Sequence, residues 1–129
     1  MQVNVIRESW CKPSAYEAKK LSIAVSNWAF IREVELICND QVMVFARSVI
    51  PRKVYIENRS TLGNLGTQPL GHLLFRQARQ RNRLRDICST HIEHKANLIY
   101  GRATPYAYNG GEILVQEFFV NTALINSSK

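Results

Sequence analysis

The stretch WAFIREVELICNDQVMVFARSVIP, from Trp28 to Pro51, decides the fold. It contains two runs rich in β-branched and aromatic residues, 28–38 and 42–50, joined by the short polar turn Asn39-Asp40. Strand-forming residues on both sides of a tight polar turn predict a β-hairpin. Pro51 is expected to end the second strand, because proline has no backbone N–H to donate to a sheet.

Two charged residues occupy positions where this pattern calls for apolar ones. Side chains of a strand alternate between the two faces of the sheet. One face of 28–38 therefore carries Trp28, Phe30, Arg32, Val34, Leu36 and Cys38. The same alternation near the C-terminus groups Glu117 with Ile113, Val115 and Phe119. Because a buried charge needs a partner, two interpretations remain open: a structural Arg–Glu pair, or a pocket that holds a polar ligand between a cation and an acid.

Two more arginines follow the same alternation. Arg7 is in phase with the apolar residues of a predicted strand at 3–10, and Arg47 is in phase with those of 42–50. On a shared inner face, Arg7, Arg32 and Arg47 would outnumber the single charge of Glu117. A ligand carboxylate would balance this excess, since guanidinium groups bind carboxylates through two parallel hydrogen bonds. Arg7 and Arg47 are therefore further candidates for substrate binding.

The remaining pattern defines the fold class. Further strands are predicted at 87–93, 97–104 and, after the turn Asn109-Gly110-Gly111, at 112–121. Apolar residues recur at helical spacing from Leu70 to about Arg83, whereas residues 13–24 are polar and ambiguous. Strands outnumber helices, which predicts an α+β domain built on a single antiparallel β-sheet with helices packed on one face.

Length and composition limit the classes of protein. The 129 residues suffice for a single domain, 1–129, with a core that needs no disulfide or metal. No apolar run reaches the roughly 18 residues that span a bilayer, and no signal peptide opens the chain. The three cysteines are widely spaced and form no CxxC pair, which favours reduced thiols in a cytoplasmic protein. Cys88, His91 and His94 match no zinc pattern, so no metal is expected.

The net charge of +7 predicts anionic partners. Much of this excess lies in five arginines between residues 76 and 85. The cluster has few aromatic residues and matches no nucleic-acid motif, so nucleic acid is not expected as a partner. A solvated helix face and the attraction of a small anionic substrate are the two interpretations that remain.

Several short stretches, among them those that contain Arg32 and Glu117, resemble the chorismate lyases, or chorismate pyruvate-lyases, of ubiquinone biosynthesis. The similar stretches are Val5-Ile6-Arg7-Glu8, Arg32-Glu33-Val34, Ala46-Arg47-Ser48-Val49-Ile50-Pro51, Leu65-Gly66-Thr67-Gln68-Pro69-Leu70-Gly71 with Leu74-Phe75, Tyr100-Gly101-Arg102, and Glu117-Phe118. They occur in the family's order and with similar spacing over nearly the whole chain.

This resemblance implies cofactor-free cleavage of chorismate to 4-hydroxybenzoate and pyruvate on an antiparallel sheet flanked by helices. The residue that matches Arg32 binds the ring carboxylate in that family, and the backbone at the position of Leu70 helps to hold it. The residue that matches Glu117 hydrogen-bonds the ring hydroxyl from the opposite end of the pocket. Whether Glu117 transfers a proton or only orients the substrate stays open at this point.

The resemblance also leaves alternatives. Members of the family usually carry a few dozen residues ahead of the strand that matches 3–10, whereas here Met1 almost abuts that strand. The chain is expected to be a shortened homologue, to begin upstream, or to lack part of the site. The alternative function is non-enzymatic binding of an aromatic carboxylate by a domain of the same fold, as in the ligand-sensing domains of some bacterial transcription regulators.

Overall fold

The residues that the structure describes form one antiparallel sheet of six strands in the order β1-β2-β3-β6-β5-β4. The structure is a computed structural model and describes residues 2–68, 70, 86–94 and 97–120. The strands are β1 (Gln2–Cys11), β2 (Ala29–Cys38), β3 (Gln41–Pro51), β4 (Asp86–His94), β5 (Asn97–Tyr108) and β6 (Gly111–Val120). The helices in the described ranges are α1 (Ala15–Leu21), α2 (Arg52–Glu57) and α3 (Arg59–Leu62).

Two tight turns set the register of the sheet. Asn39 and Asp40 join β2 to β3 with φ angles of 53° and 63°, and Asn109 and Gly110 join β5 to β6 with φ angles of 46° and 87°. Two successive residues with positive φ give a turn whose twist matches that of the paired strands. Asparagine, aspartate and glycine adopt this conformation at low cost. The predicted hairpin at 28–50 and the predicted turn at 109–111 are confirmed.

Apolar residues pack against both faces of the sheet. The face that carries Arg32 is called the site face here, and the face that carries Glu33 is called the back face. The core cluster on the site face includes α2, α3 and the loop that follows them, and consists of Ile50, Val54, Leu62, Leu65, Leu70, Tyr108, Ile113 and Val115. The cluster on the back face includes α1 and consists of Leu21, Ala29, Ile31, Val49, Ala103 and Leu114.

Helix α1 lies in the segment whose structure the sequence left ambiguous. Its first turn is a capping box, in which the Ser14 hydroxyl accepts from the Glu17 N–H and the Glu17 carboxylate accepts from the Ser14 N–H. The predicted α+β class with a single antiparallel sheet is confirmed, but the helices do not all lie on one face. The sequence pattern did not predict helix α1, because a buried carboxylate, Glu17, replaces an apolar residue on the side of the helix that faces the sheet.

The predicted strands at 87–93, 97–104 and 112–121 are confirmed as β4, β5 and β6. Strand β5 continues past Pro105, which lies opposite Leu114 of β6, whereas the described pairing of β5 with β4 runs from Asn97 to Ala103. The predicted helix at 70–83 and the arginine cluster at 76–85 fall outside the described residues, apart from Leu70. No helix in the described ranges combines the length and apolarity needed to cross a bilayer.

Candidate functional site

The strand register brings Arg32 and Glu117 onto the same face of the sheet. Arg32 on β2 lies opposite Ser48 on β3, and Ser48 lies opposite Val115 on β6. Glu117 follows Val115 by two residues and therefore shares its face. With about 4.8 Å between strands and about 3.3 Å per residue, the Cα atoms of Arg32 and Glu117 are roughly 12 Å apart. The structure brings these two predicted residues to one surface.

Arg32 is almost completely buried, with 2% of its surface exposed, and is held at one end of this surface. Its Nη1 donates to Glu8 Oε2 at 2.5 Å, and its Nη2 donates to the carbonyl oxygens of Gly66 and Gln68 at 3.0 and 2.9 Å. Gly66 has a φ of 57°, so the loop turns at this glycine. The guanidinium thus ties the sheet to the loop, and both groups on Nη2 are backbone carbonyls.

Glu117 lies at the other end and has a different partner. Arg102, its register partner on β5, donates from Nε to Glu117 Oε1 at 2.7 Å. The Arg102 guanidinium also lies 5.3 Å from the centre of the Phe119 ring, a cation–π distance. The structural Arg32–Glu117 pair considered from the sequence is therefore not what the structure has. Each residue forms its own ion pair within the described residues.

The sheet between these two ends carries small or branched side chains, all of them apolar except Ser48. Arg32 has Ser48 and Val115 in its cross-strand row, whereas Glu117 has Ala46 and Val34 in its own row. Ala46 and Ser48 project little from β3, the strand that separates the two charged ends. The arrangement is a low apolar floor with an arginine at one end and a carboxylate at the other.

Leu70 lies on the loop side of this surface. It is buried in the core cluster of the site face and follows Gln68, whose carbonyl accepts from Arg32, by two residues. The backbone at Leu70 is thus part of the chain segment next to the Arg32 guanidinium.

The prediction that Arg7 and Arg47 share a face with Arg32 is wrong. A β-bulge in β1 pairs Val5 with Val34 but Arg7 with Glu33, so the parity of β1 changes at this point. Arg7 then lies on the back face, where it hydrogen-bonds the hydroxyl of Ser9. Arg47 lies there too, since it is opposite Glu33. Both faces of β3 are apolar, so alternation alone could not choose between them.

Arg47 belongs to a buried network that attaches α1 to the back face. It donates to both carboxylate oxygens of Glu17, at 2.6 and 3.1 Å, and to Glu33 Oε2 at 2.7 Å. The Gln116 amide donates to Glu17 Oε2 at 2.5 Å. Burial alone would raise the pKa of Glu17, but hydrogen bonds from Arg47, the Ser14 N–H and Gln116 outweigh it and lower the pKa below its ordinary value. These residues stabilise the fold.

Sequence reasoning missed the partners of the two site residues, Glu8 and Arg102. Both lie in stretches similar to the chorismate lyases, Val5-Ile6-Arg7-Glu8 and Tyr100-Gly101-Arg102. Only the strand register reveals what they contact. Within the described residues no three His, Cys, Asp or Glu side chains are grouped as metal ligands would be.

The sequence is similar to one family over its whole length. The family described as chorismate lyase matches residues 1–129. A probable chorismate pyruvate-lyase of Methylococcus capsulatus is 32% identical over 132 residues, which cover 95% of this chain and 82% of that protein. A probable chorismate pyruvate-lyase of Hydrogenovibrio crunogenus is 30% identical over 133 residues, covering 96% and 72%.

Solved structures share the fold at much lower identity. The C-terminal domain of Yurk from Bacillus subtilis superposes with a TM-score of 0.65 and 12% identity, covering 92% of this chain and 89% of that one. A GntR-family transcriptional regulator from Enterococcus faecalis gives 0.63 and 14%, covering 93% and 94%. These likenesses confirm the predicted chorismate lyase-like fold. Since the family match spans every residue and the relatives are about one-third identical, this chain belongs to the chorismate lyase family.

Proposed function

We propose that this protein is a chorismate lyase, which converts chorismate to 4-hydroxybenzoate and pyruvate without a cofactor. We place the reaction in the cytoplasm, as the first committed step toward ubiquinone. One observation carries the proposal: a buried arginine and a carboxylate lie on the same face of the sheet, separated by a low apolar floor. The match of the whole chain to the family supports it.

In this proposal the two ends of the floor bind the two ends of the substrate ring. Arg32 binds the ring carboxylate, with help from the backbone at Leu70, and Glu117 binds the ring hydroxyl. The Arg102 Nε–H fixes Oε1 of Glu117, and the hydrogen bonds within the described residues leave Oε2 to accept from the hydroxyl. A planar, apolar ring suits the surface between them, where Ala46 and Ser48 project least.

The chemistry asks little of the protein. The ether C–O bond breaks, a hydrogen leaves the ring carbon that carries the hydroxyl, and the ring becomes aromatic. The enolpyruvate that leaves takes up a proton to become pyruvate. Since aromaticity drives the reaction, the site has to hold the reactive conformer and stabilise the charge that develops on the leaving group.

Purified protein incubated with chorismate tests the proposal, with 4-hydroxybenzoate followed by its absorbance. We expect Arg32→Ala to abolish turnover with little loss of folded content by circular dichroism, because the substrate loses its carboxylate partner. Arg52→Ala, an exposed arginine outside the site, is the matched control. Severe unfolding of Arg32→Ala, with full activity in the soluble remainder, would instead assign Arg32 a purely structural role.

The role of Glu117 needs a separate variant. Glu117→Gln keeps the shape and removes the titratable proton, so a group that transfers a proton should lose roughly two to four orders of magnitude in rate. A group that only orients the hydroxyl should lose much less. Glu112→Gln, on an exposed position of the same strand, is the control. A fully active Glu117→Gln variant contradicts both roles.

The alternative function is a non-enzymatic domain that binds aromatic carboxylates. Its support is the fold shared with transcriptional regulators, at 12–14% identity. The same preparation distinguishes the two functions: binding of 4-hydroxybenzoate with no conversion of chorismate favours the alternative.

A further inference from the structure

The ion pair between Arg32 and Glu8 occupies the group that a ligand carboxylate needs. Glu8 accepts from Nη1, and two loop carbonyls occupy Nη2. Of the five N–H groups of the guanidinium, three are therefore already engaged within the described residues. A carboxylate that binds in bidentate fashion needs two adjacent N–H groups, so it competes with the contacts that are already there.

The charge balance leads to the same conclusion. Arg32 is neutralised by Glu8, and Glu117 is neutralised by Arg102. With the described residues alone, a carboxylate that entered while Glu8 remained in place would add a negative charge next to a nearly buried ion pair that is already neutral. Such a charge is costly away from water. Among the ion pairs of the described residues, departure of one resident carboxylate is what frees a cation to neutralise the ligand.

The two partners differ in their freedom to move. The Arg32 side chain is 2% exposed and is fixed by the carbonyls of Gly66 and Gln68, whereas the Glu8 side chain is 39% exposed. Glu8 also lies on β1, which is at the edge of the sheet. A rotation about its side-chain bonds takes the carboxylate into water without any change of the backbone. Glu8 is thus the partner that can leave.

We propose that Glu8 is a resident counter-ion of Arg32, which the ring carboxylate displaces on binding and which returns when the product leaves. This inference rests on the proposed function and assigns Glu8 a regulatory effect at the same site. Because every carboxylate ligand competes with Glu8, the residue weakens the binding of 4-hydroxybenzoate. By the same competition it favours release of the product.

Calorimetric titration with 4-hydroxybenzoate tests the proposal, with chorismate turnover measured on the same preparations. Glu8→Gln removes the charge of the competitor, and Glu8→Asp keeps the charge but shortens the side chain so that it reaches Arg32 poorly. We expect both variants to bind 4-hydroxybenzoate about 3- to 30-fold more tightly than the unchanged protein. Glu112→Gln, which lowers the negative charge by the same amount at an exposed position, should bind as the unchanged protein does.

The opposite sign overturns the inference. If Glu8 orients Arg32 for the ligand, both variants bind 4-hydroxybenzoate more weakly or equally, while the unchanged protein still converts chorismate. In that case the proposed function stands and the displacement of Glu8 does not. If the unchanged protein neither converts chorismate nor binds 4-hydroxybenzoate, and neither variant binds it, the proposed function fails together with this inference. If both Glu8 variants bind 4-hydroxybenzoate more tightly than the unchanged protein and Glu112→Gln does not, the counter-ion role is supported.

Discussion

Replacement of Arg47 by methionine should destabilise the protein strongly without removing a ligand contact. Glu17, whose side chain is 4% exposed, would lose both charge-assisted hydrogen bonds from Arg47 and, among the described residues, keep those from Ser14 and Gln116. Removing one partner of a buried pair costs about 3–5 kcal/mol, and the partial exposure of Arg47 reduces this to about 2–4 kcal/mol. Glu17→Gln should cost less, about 1–2 kcal/mol, because Arg47 keeps its bond to Glu33.

Urea unfolding followed by tryptophan fluorescence measures both values, and the double variant gives the coupling between the two side chains. We expect the coupling to exceed about 1 kcal/mol, since the groups are in direct contact. Arg52→Met, at an exposed position, is the control for loss of an arginine. A loss below about 1 kcal/mol for Arg47→Met would refute the reasoning. If Arg47→Met has normal stability but no longer binds 4-hydroxybenzoate, Arg47 is a ligand-binding residue after all.

Three further predictions concern pH, packing and the loop. The pKa of Glu17 is lowered on folding from its ordinary value of 4.5, so ionised Glu17 contributes fully to the free energy of unfolding above that pH and loses this contribution as the pH falls. The difference in urea midpoint between the unchanged protein and Glu17→Gln should therefore shrink below pH 4.5. Gly101→Ala should lower stability by about 1–3 kcal/mol, because the new Cβ would lie 2.7 Å from the ring of Phe118; thermal unfolding tests this, and Phe118→Leu should restore part of the loss. Arg32→Ala should speed amide hydrogen exchange at Gln68, whose N–H donates to the Leu65 carbonyl, because the loop loses its attachment to the sheet; unchanged exchange would show that the loop holds itself in place.

The sheet was predictable because its signals are local. The hairpin at 28–50 depends on two strand-forming runs and the turn Asn39-Asp40, and the positive φ angles of both turn residues are what such a turn requires. Helix α1 was not predictable by periodicity, because its inner stripe contains Glu17. That residue is compatible with burial only through contacts with Arg47 and Gln116, which are distant in sequence.

The site was predictable in part for the same reason. Alternation identified Arg32 and Glu117 as charges in apolar rows, which needs only the sequence. Their partners depend on which strands are neighbours and on the register between them. The bulge in β1 moves Arg7 to the back face and leaves Glu8 opposite Arg32. No residue in the stretch 3–10 announces that bulge, so alternation extended through it gives the wrong face.

The alternation of the strands assigns neighbouring residues to unrelated tasks. Arg47 and Gln116 bond Glu17 of α1 on the back face, and Glu33 supports Arg47 there. Their neighbours in sequence, Ser48, Glu117 and Arg32, lie on the site face. The thickness of the sheet insulates one set from the other. Substitutions among the site-face residues of a strand can therefore change the ligand contacts and leave the contacts between α1 and the back face unchanged. Proteins with a sheet organised in this way can bind different small molecules and have few site-face residues in common.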